Sequence, residues 1–267
     1  MGIAARRRSA FVLFFVFLTV PHVSMADTFF GVVPTGLVEL QDYKYPVYLF
    51  VPKNYKPDRD YSLIITVPGE GESPEKNIQF WTGVAKRRSM LVLAPTNIWP
   101  EELPYTVDSW LLGIKKDVMA RYRISSEKIF LIGKEGGSHY ASYLGTKYPE
   151  EFSAVALLGG SWSGKFQKLI RPESKSRKQR PFFVALKPDQ SELMAETQEI
   201  AKQFEDKGYP VYLIKLEVGE EFESAEFKKR LLSWLEENAE NWQRVVSENR
   251  KSWKEKMALW INNLLHV

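Results

Sequence analysis

Along most of this chain, short unbroken apolar runs alternate with longer stretches in which apolar residues recur every three or four positions. The runs at 45–51, 61–67, 90–94, 129–132, 154–158, 181–186 and 209–216 are too short for buried helices. They are rich in Val, Ile, Leu, Phe and Tyr, and they predict strands covered on both faces. A further β-segment is predicted over 29–39, interrupted by Pro34 and Gly36. Between the strands the period changes. Ser73 before Pro74 predicts a capped helix running towards Arg88. Trp110, Leu111, Ile114, Val118 and Tyr122 share one face of a helix over 106–123. Further helices are predicted from the end of the 129–132 strand to Lys147, over 191–207 and over 223–235. Strands alternating with helices predict an α/β fold: a mostly parallel central sheet with helices on both faces.

The segment after 236 continues past this alternation. Trp253, Met257, Trp260, Ile261, Leu264 and Leu265 fall at helical spacing, and Trp242, Val245 and Val246 extend the stripe upstream. This predicts an amphipathic C-terminal helix over 241–267, folded back on its own domain or docked on a partner or a second copy. Its charges balance, so it lacks the cationic face of a membrane-surface helix.

At the other end, Arg6, Arg7 and Arg8 precede the apolar run 10–20, and Ser24-Met25-Ala26 supplies small residues for cleavage. Residues 1–26 therefore read as a signal peptide cut before Asp27, with the main domain at 27–240. A secreted or periplasmic protein with no stable membrane insertion after cleavage is the expectation. The net charge of +4 comes largely from those arginines; 34 basic and 33 acidic residues are left without them. That balance argues against nucleic acid as a partner. The loop 165–180 carries Lys165, Lys168, Arg171, Lys175, Arg177, Lys178 and Arg180, and reads as a solvated surface rather than an anion-binding one. There is no cysteine, which excludes disulfides, thiolate metal sites and a thiol nucleophile.

The 129–132 strand ends in Gly133-Lys-Glu135-Gly-Gly137. Two glycines at that spacing, between a strand and a helix, suit a tight turn with a strained central residue. Other phrases stand in order around it: Tyr48-Leu-Phe-Val-Pro52, Val92-Leu-Ala-Pro95, Arg121-Tyr-Arg-Ile124, Tyr148-Pro-Glu-Glu-Phe152 and Ala154 to Gly160. Over residues 39–236 the chain resembles the α/β-hydrolase fold, in particular secreted esterases of the polyhydroxybutyrate depolymerase and feruloyl esterase type. Prolyl-oligopeptidase-like domains are nearby relatives.

The resemblance implies a serine at the elbow, a carboxylate after the 182–186 strand, a histidine after the last strand, and backbone donors for an oxyanion. The elbow instead holds Glu135. Asp189, in Lys187-Pro-Asp-Gln190, matches the expected acid, although a turn Asp ahead of a helix accounts for it equally well. Glu220 stands in place of the histidine. The oxyanion loop is Pro68-Gly69-Glu70-Gly71, with donors expected from Gly69 or Glu70 and from Gly136. Ser138 is expected to point away from the apex. His139 and His266 are not placed to act as a base. The expectation is a hydrolase fold without serine hydrolase chemistry, serving as a binding module for a small ligand or a protein partner. Self-association through the C-terminal helix is a further option. One alternative is an ester or peptide hydrolase with an atypical site around Glu135, Asp189 and Glu220. Another is a Ca²⁺ or Mg²⁺ site formed by those three carboxylates, if they converge. No cofactor is expected.

Overall fold

A computed structural model describes residues 22–23, 33–69, 71–96, 98, 104–173, 179–241, 254 and 257. Nine strands form one sheet: β1 (His22–Val23), β2 (Gly36–Leu40), β3 (Val47–Val51), β4 (Tyr61–Val67), β5 (Met90–Pro95), β6 (Ile124–Lys134), β7 (Ala154–Leu158), β8 (Phe182–Leu186) and β9 (Val211–Lys215). Their spatial order is β1-β2-β3-β5-β4-β6-β7-β8-β9. β3 runs antiparallel to both β2 and β5, and every other pairing is parallel. The helices are α1 (Pro74–Arg88), α2 (Pro104–Arg121), α3 (Gly136–Lys147), α4 (Ser191–Glu205) and α5 (225–241).

Alternation along each strand divides the core in two. Leu63, Ile65, Leu131, Val155 and Phe182 point to a layer closed by Leu111 and Val118 of α2, Tyr140 and Leu144 of α3, and Phe204 of α4. Ile64, Phe130, Ile132, Ala156 and Phe183 point to the other layer, closed by Ile78 and Trp81 of α1 and by Phe227, Leu231 and Leu235 of α5. β5, β7 and β8 are apolar throughout because both layers are dry there. The predicted mostly parallel sheet, covered on both faces, is what forms.

Most element boundaries agree with the sequence pattern. Ser73 caps α1 as expected, its Oγ accepting from the Lys76 N–H. β6 begins at Ile124 instead of 129. Its first residues include exposed Ser126 and Glu127, so the apolar signal starts later than the backbone pairing of Tyr61 with Ile124. The helix expected over 223–235 spans 225–241. Its extra turns are held by Glu236 to Arg88 at 2.7 Å and Glu240 to Lys128 at 3.1 Å. Of the expected C-terminal helix, Lys254 and Met257 are described and are helical; the rest lies outside the described residues, as does the leader apart from His22 and Val23. No helix among the described residues is long and apolar enough to cross a membrane.

A buried carboxylate that sequence reasoning did not single out joins α2 to α3. Asp108 is 1% exposed. It accepts from the hydroxyls of Tyr140 at 2.9 Å, Tyr143 at 2.8 Å and Tyr148 at 3.0 Å, and from Lys147 at 2.9 Å. A buried carboxylate is tolerable only with such a set of donors. Burial pushes the Tyr143 phenol up to about 12, so it stays protonated and keeps donating. Asp108→Ala should destabilise the fold by about 3 kcal/mol, because it leaves buried donors without an acceptor. Urea unfolding followed by tryptophan fluorescence would measure it.

Candidate functional site

β6 passes into α3 through the turn centred on Glu135, and the space there is set by glycines. A Cβ on Gly133 would lie 2.6 Å from Gly137 O and from Ser138 Cα. One on Gly137 would lie 2.3 Å from Val67 O, and one on Gly160 would lie 2.5 Å from Glu135 O. No side chain fits at any of these positions. Glu135 takes the compression, with φ 50° and ψ −121°. Such angles cost a non-glycine residue on the order of 1–3 kcal/mol. Its N–H donates to Leu158 O at 2.6 Å, and its carbonyl accepts from Ser138 N–H at 3.0 Å. Glu135 thus occupies the expected apex. Ser138 is fully buried, its Oγ bonded to Gly133 O at 3.1 Å, and it does not reach the apex.

The three carboxylates do not gather into one cation site. Glu135 Oε1 lies 3.3 Å from Lys187 Nζ in a half-exposed pair. The loop carrying Lys187 is pinned to β7: the Lys187 N–H donates to Gln190 Oε1, and Gln190 Nε2 donates to Gly159 O. Glu220 turns to α5, where Arg230 donates to it at 2.7 Å, and it also accepts from Glu217 N–H. Asp189 and Glu220 line an open cleft of about 340 Å³ with Lys187, Val218, Gly219 and Glu221. No group of His, Asp and Glu among the described residues is arranged to hold a metal ion. Glu135 and Glu220 each have a separate cation, which compensates their charge without a metal.

The loop expected to supply oxyanion donors is engaged by the chain itself. Gly69 N–H donates to Glu72 Oε2 at 3.4 Å, and Glu72 Oε1 accepts from Lys134 at 3.0 Å. Lys134 also lies 3.6 Å from Glu223. Burial alone would lower the Lys134 pKa; Glu72 and Glu223 outweigh it and hold the ammonium above its usual value. A carboxylate of the chain itself thus engages the Gly69 donor. Glu70 lies outside the described residues. Gly136 opens α3, beside the apex.

Sequence reasoning missed Lys187, Arg230, Lys134 and Glu72. The signal available was charge compensation: a carboxylate replacing a neutral serine or histidine in a confined turn calls for a nearby cation.

His139 lies on α3 under the loop that follows β7. A Cβ on Gly164 would be 2.6 Å from its ring. Burial lowers its pKa below 6.5, so the folded state holds it neutral. The unfolded chain binds a proton there more readily, and stability is lost as pH falls from 6.5 towards the folded value. His139→Phe should flatten that part of the stability–pH profile, measured by thermal melts across the acid range. His266 lies outside the described residues.

No protein-family model matches the sequence, and no curated protein matches it. Solved structures do. A thermostable esterase aligns with TM-score 0.51 and 22% identity over 68% of this chain, which spans 54% of that chain. A poly(3-hydroxybutyrate) depolymerase, LpqC from Bordetella parapertussis, aligns with TM-score 0.50 and 17% identity over 70% of this chain and 85% of its own. The fluorophosphonate-binding serine hydrolase FphF from Staphylococcus aureus aligns with TM-score 0.55 and 9% identity over 76% and 99%. Identities this low bear on fold alone. Taken with the parallel sheet and the compressed β6–α3 turn, they establish that this chain has the α/β-hydrolase fold.

Proposed function

We infer that this protein is a hydrolase-fold binding module without serine hydrolase activity. The observation that carries the reading is the apex itself: Glu135 stands where a nucleophile would, paired to Lys187. A carboxylate neutralised by an ammonium is a poor nucleophile, and an ester intermediate on it would need a base for the second step. Glu220, in the base position, is paired to Arg230 and cannot relay a proton as an imidazole does. His139 lies beneath another loop. What is left is a cleft beside Lys187, Asp189 and Glu220 with both signs of charge, open to a small polar ligand or a protein loop. Export by the N-terminal leader is part of the same proposal and rests on Arg6 to Arg8 and the apolar run behind them.

A fluorophosphonate probe tests the reading directly. The purified protein should show no covalent labelling and no turnover of p-nitrophenyl esters. Glu135→Ser should stay inactive, because no base replaces Glu220. Glu135→Ser with Glu220→His should gain weak activity. Labelling of the unaltered protein, or robust turnover by Glu135→Ser alone, overturns the proposal in favour of a hydrolase with an atypical site.

A further inference from the structure

Among the described residues the sheet ends at β9, which pairs with β8 and has no strand on its outer edge. The Phe182 N–H donates to Pro210 O, and the Leu216 N–H donates to Leu186 O. Even-numbered residues of β9 therefore direct their backbone groups inward, and Val211, Leu213 and Lys215 direct theirs outward. No hydrogen-bond partner for these outward groups exists among the described residues. Edges of this kind are usually guarded by a charge, a proline or a covering loop. Here Pro210 lies just outside the strand, and nothing between Val211 and Ile214 is charged. Lys215, the one charged residue of the strand, sends its ammonium back to Ser191 Oγ at 3.3 Å, onto α4 and away from the edge. Beside the edge, Tyr212 is 41% exposed and stacks on Trp234 of α5, ring centroids 5.8 Å apart.

We propose that β9 pairs antiparallel with β9 of a second copy of this chain about a two-fold axis at Leu213. The sequence of the strand favours that register. Centred on Leu213, it uses every outward backbone group, as an isologous interface requires. Val211 then faces Lys215 of the partner subunit, so no two lysines meet. Tyr212 lies beside Ile214 of the partner subunit on the Trp234 face, an aromatic–aliphatic pair of the kind that stabilises sheets. Centring on Lys215 instead would oppose two like charges and leave Val211 unpaired.

Analytical ultracentrifugation of the full chain tests for the dimer, and hydrogen exchange tests the register. At high protein concentration the Val211, Leu213 and Lys215 amides should exchange at least about tenfold more slowly than in dilute protein. Tyr212 and Ile214 should be protected at both concentrations. Leu213→Lys, which places two ammonium groups at the axis, should give a monomer. Lys215→Pro should do the same while leaving the melting temperature nearly unchanged, since it removes only an outward N–H. A chain monomeric at every concentration overturns the proposal. So does a dimer that survives both substitutions. Dissociation by Trp253→Glu and Trp260→Glu, with β9 exchange independent of concentration, would instead assign association to the C-terminal segment.

Discussion

Backbone crowding at the β6–α3 turn constrains everything around it. Gly133, Gly137 and Gly160 bring β6, β4, β7 and the start of α3 to distances that no side chain allows. That contact fixes where α3 begins, which forces Glu135 into a left-handed conformation at the apex. It also fixes α3 against α2, where Asp108 gathers its tyrosines. The strain at one residue is sustained because the surrounding packing over-determines it. Here the compressed turn holds a carboxylate, and its backbone geometry is a separate matter from any chemistry at its apex.

The loops near that turn behave as a set of local charge pairs. Glu135 with Lys187, Glu220 with Arg230, and Glu72 with Lys134 each join one loop to another element. Exposed pairs of this kind contribute little stability individually. Their effect is on orientation. Glu220 is turned outward to α5, and Glu72 engages the Gly69 N–H. Of the carboxylates that sequence groups together, Glu135 pairs with Lys187 and Glu220 with Arg230.

The strands and the elbow were legible in the sequence because burial writes itself directly into residue type: apolar runs, capping Ser73, and glycines where backbones touch. Glu135 could be singled out from the glycine spacing, and Asp189 and Glu220 through the family resemblance. Their partners could not, since Lys187 and Arg230 are ordinary surface residues by composition and acquire meaning only when loops meet. Asp108 was hidden for a related reason. One aspartate among helical residues looks solvated until Tyr140 and Tyr143 of another helix, and Tyr148 just past its end, are seen to converge on it. The early start of β6 was missed because Ser126 and Glu127 lie beyond the layers that impose an apolar pattern.

The layer formed by α1 and α5 has a temporal side. Phe227, Leu231 and Leu235 cover Phe183 and Ile132, yet they follow every strand in the chain. During synthesis the sheet can be laid down with one face finished and the other closed by α1 alone. Until α5 emerges, Phe183 and its neighbours stay open to water. Such an exposed surface is what holding chaperones bind, and it keeps a nascent chain from premature closure. Completion of the second layer therefore waits on α5, and the step that seals it is long-range by necessity.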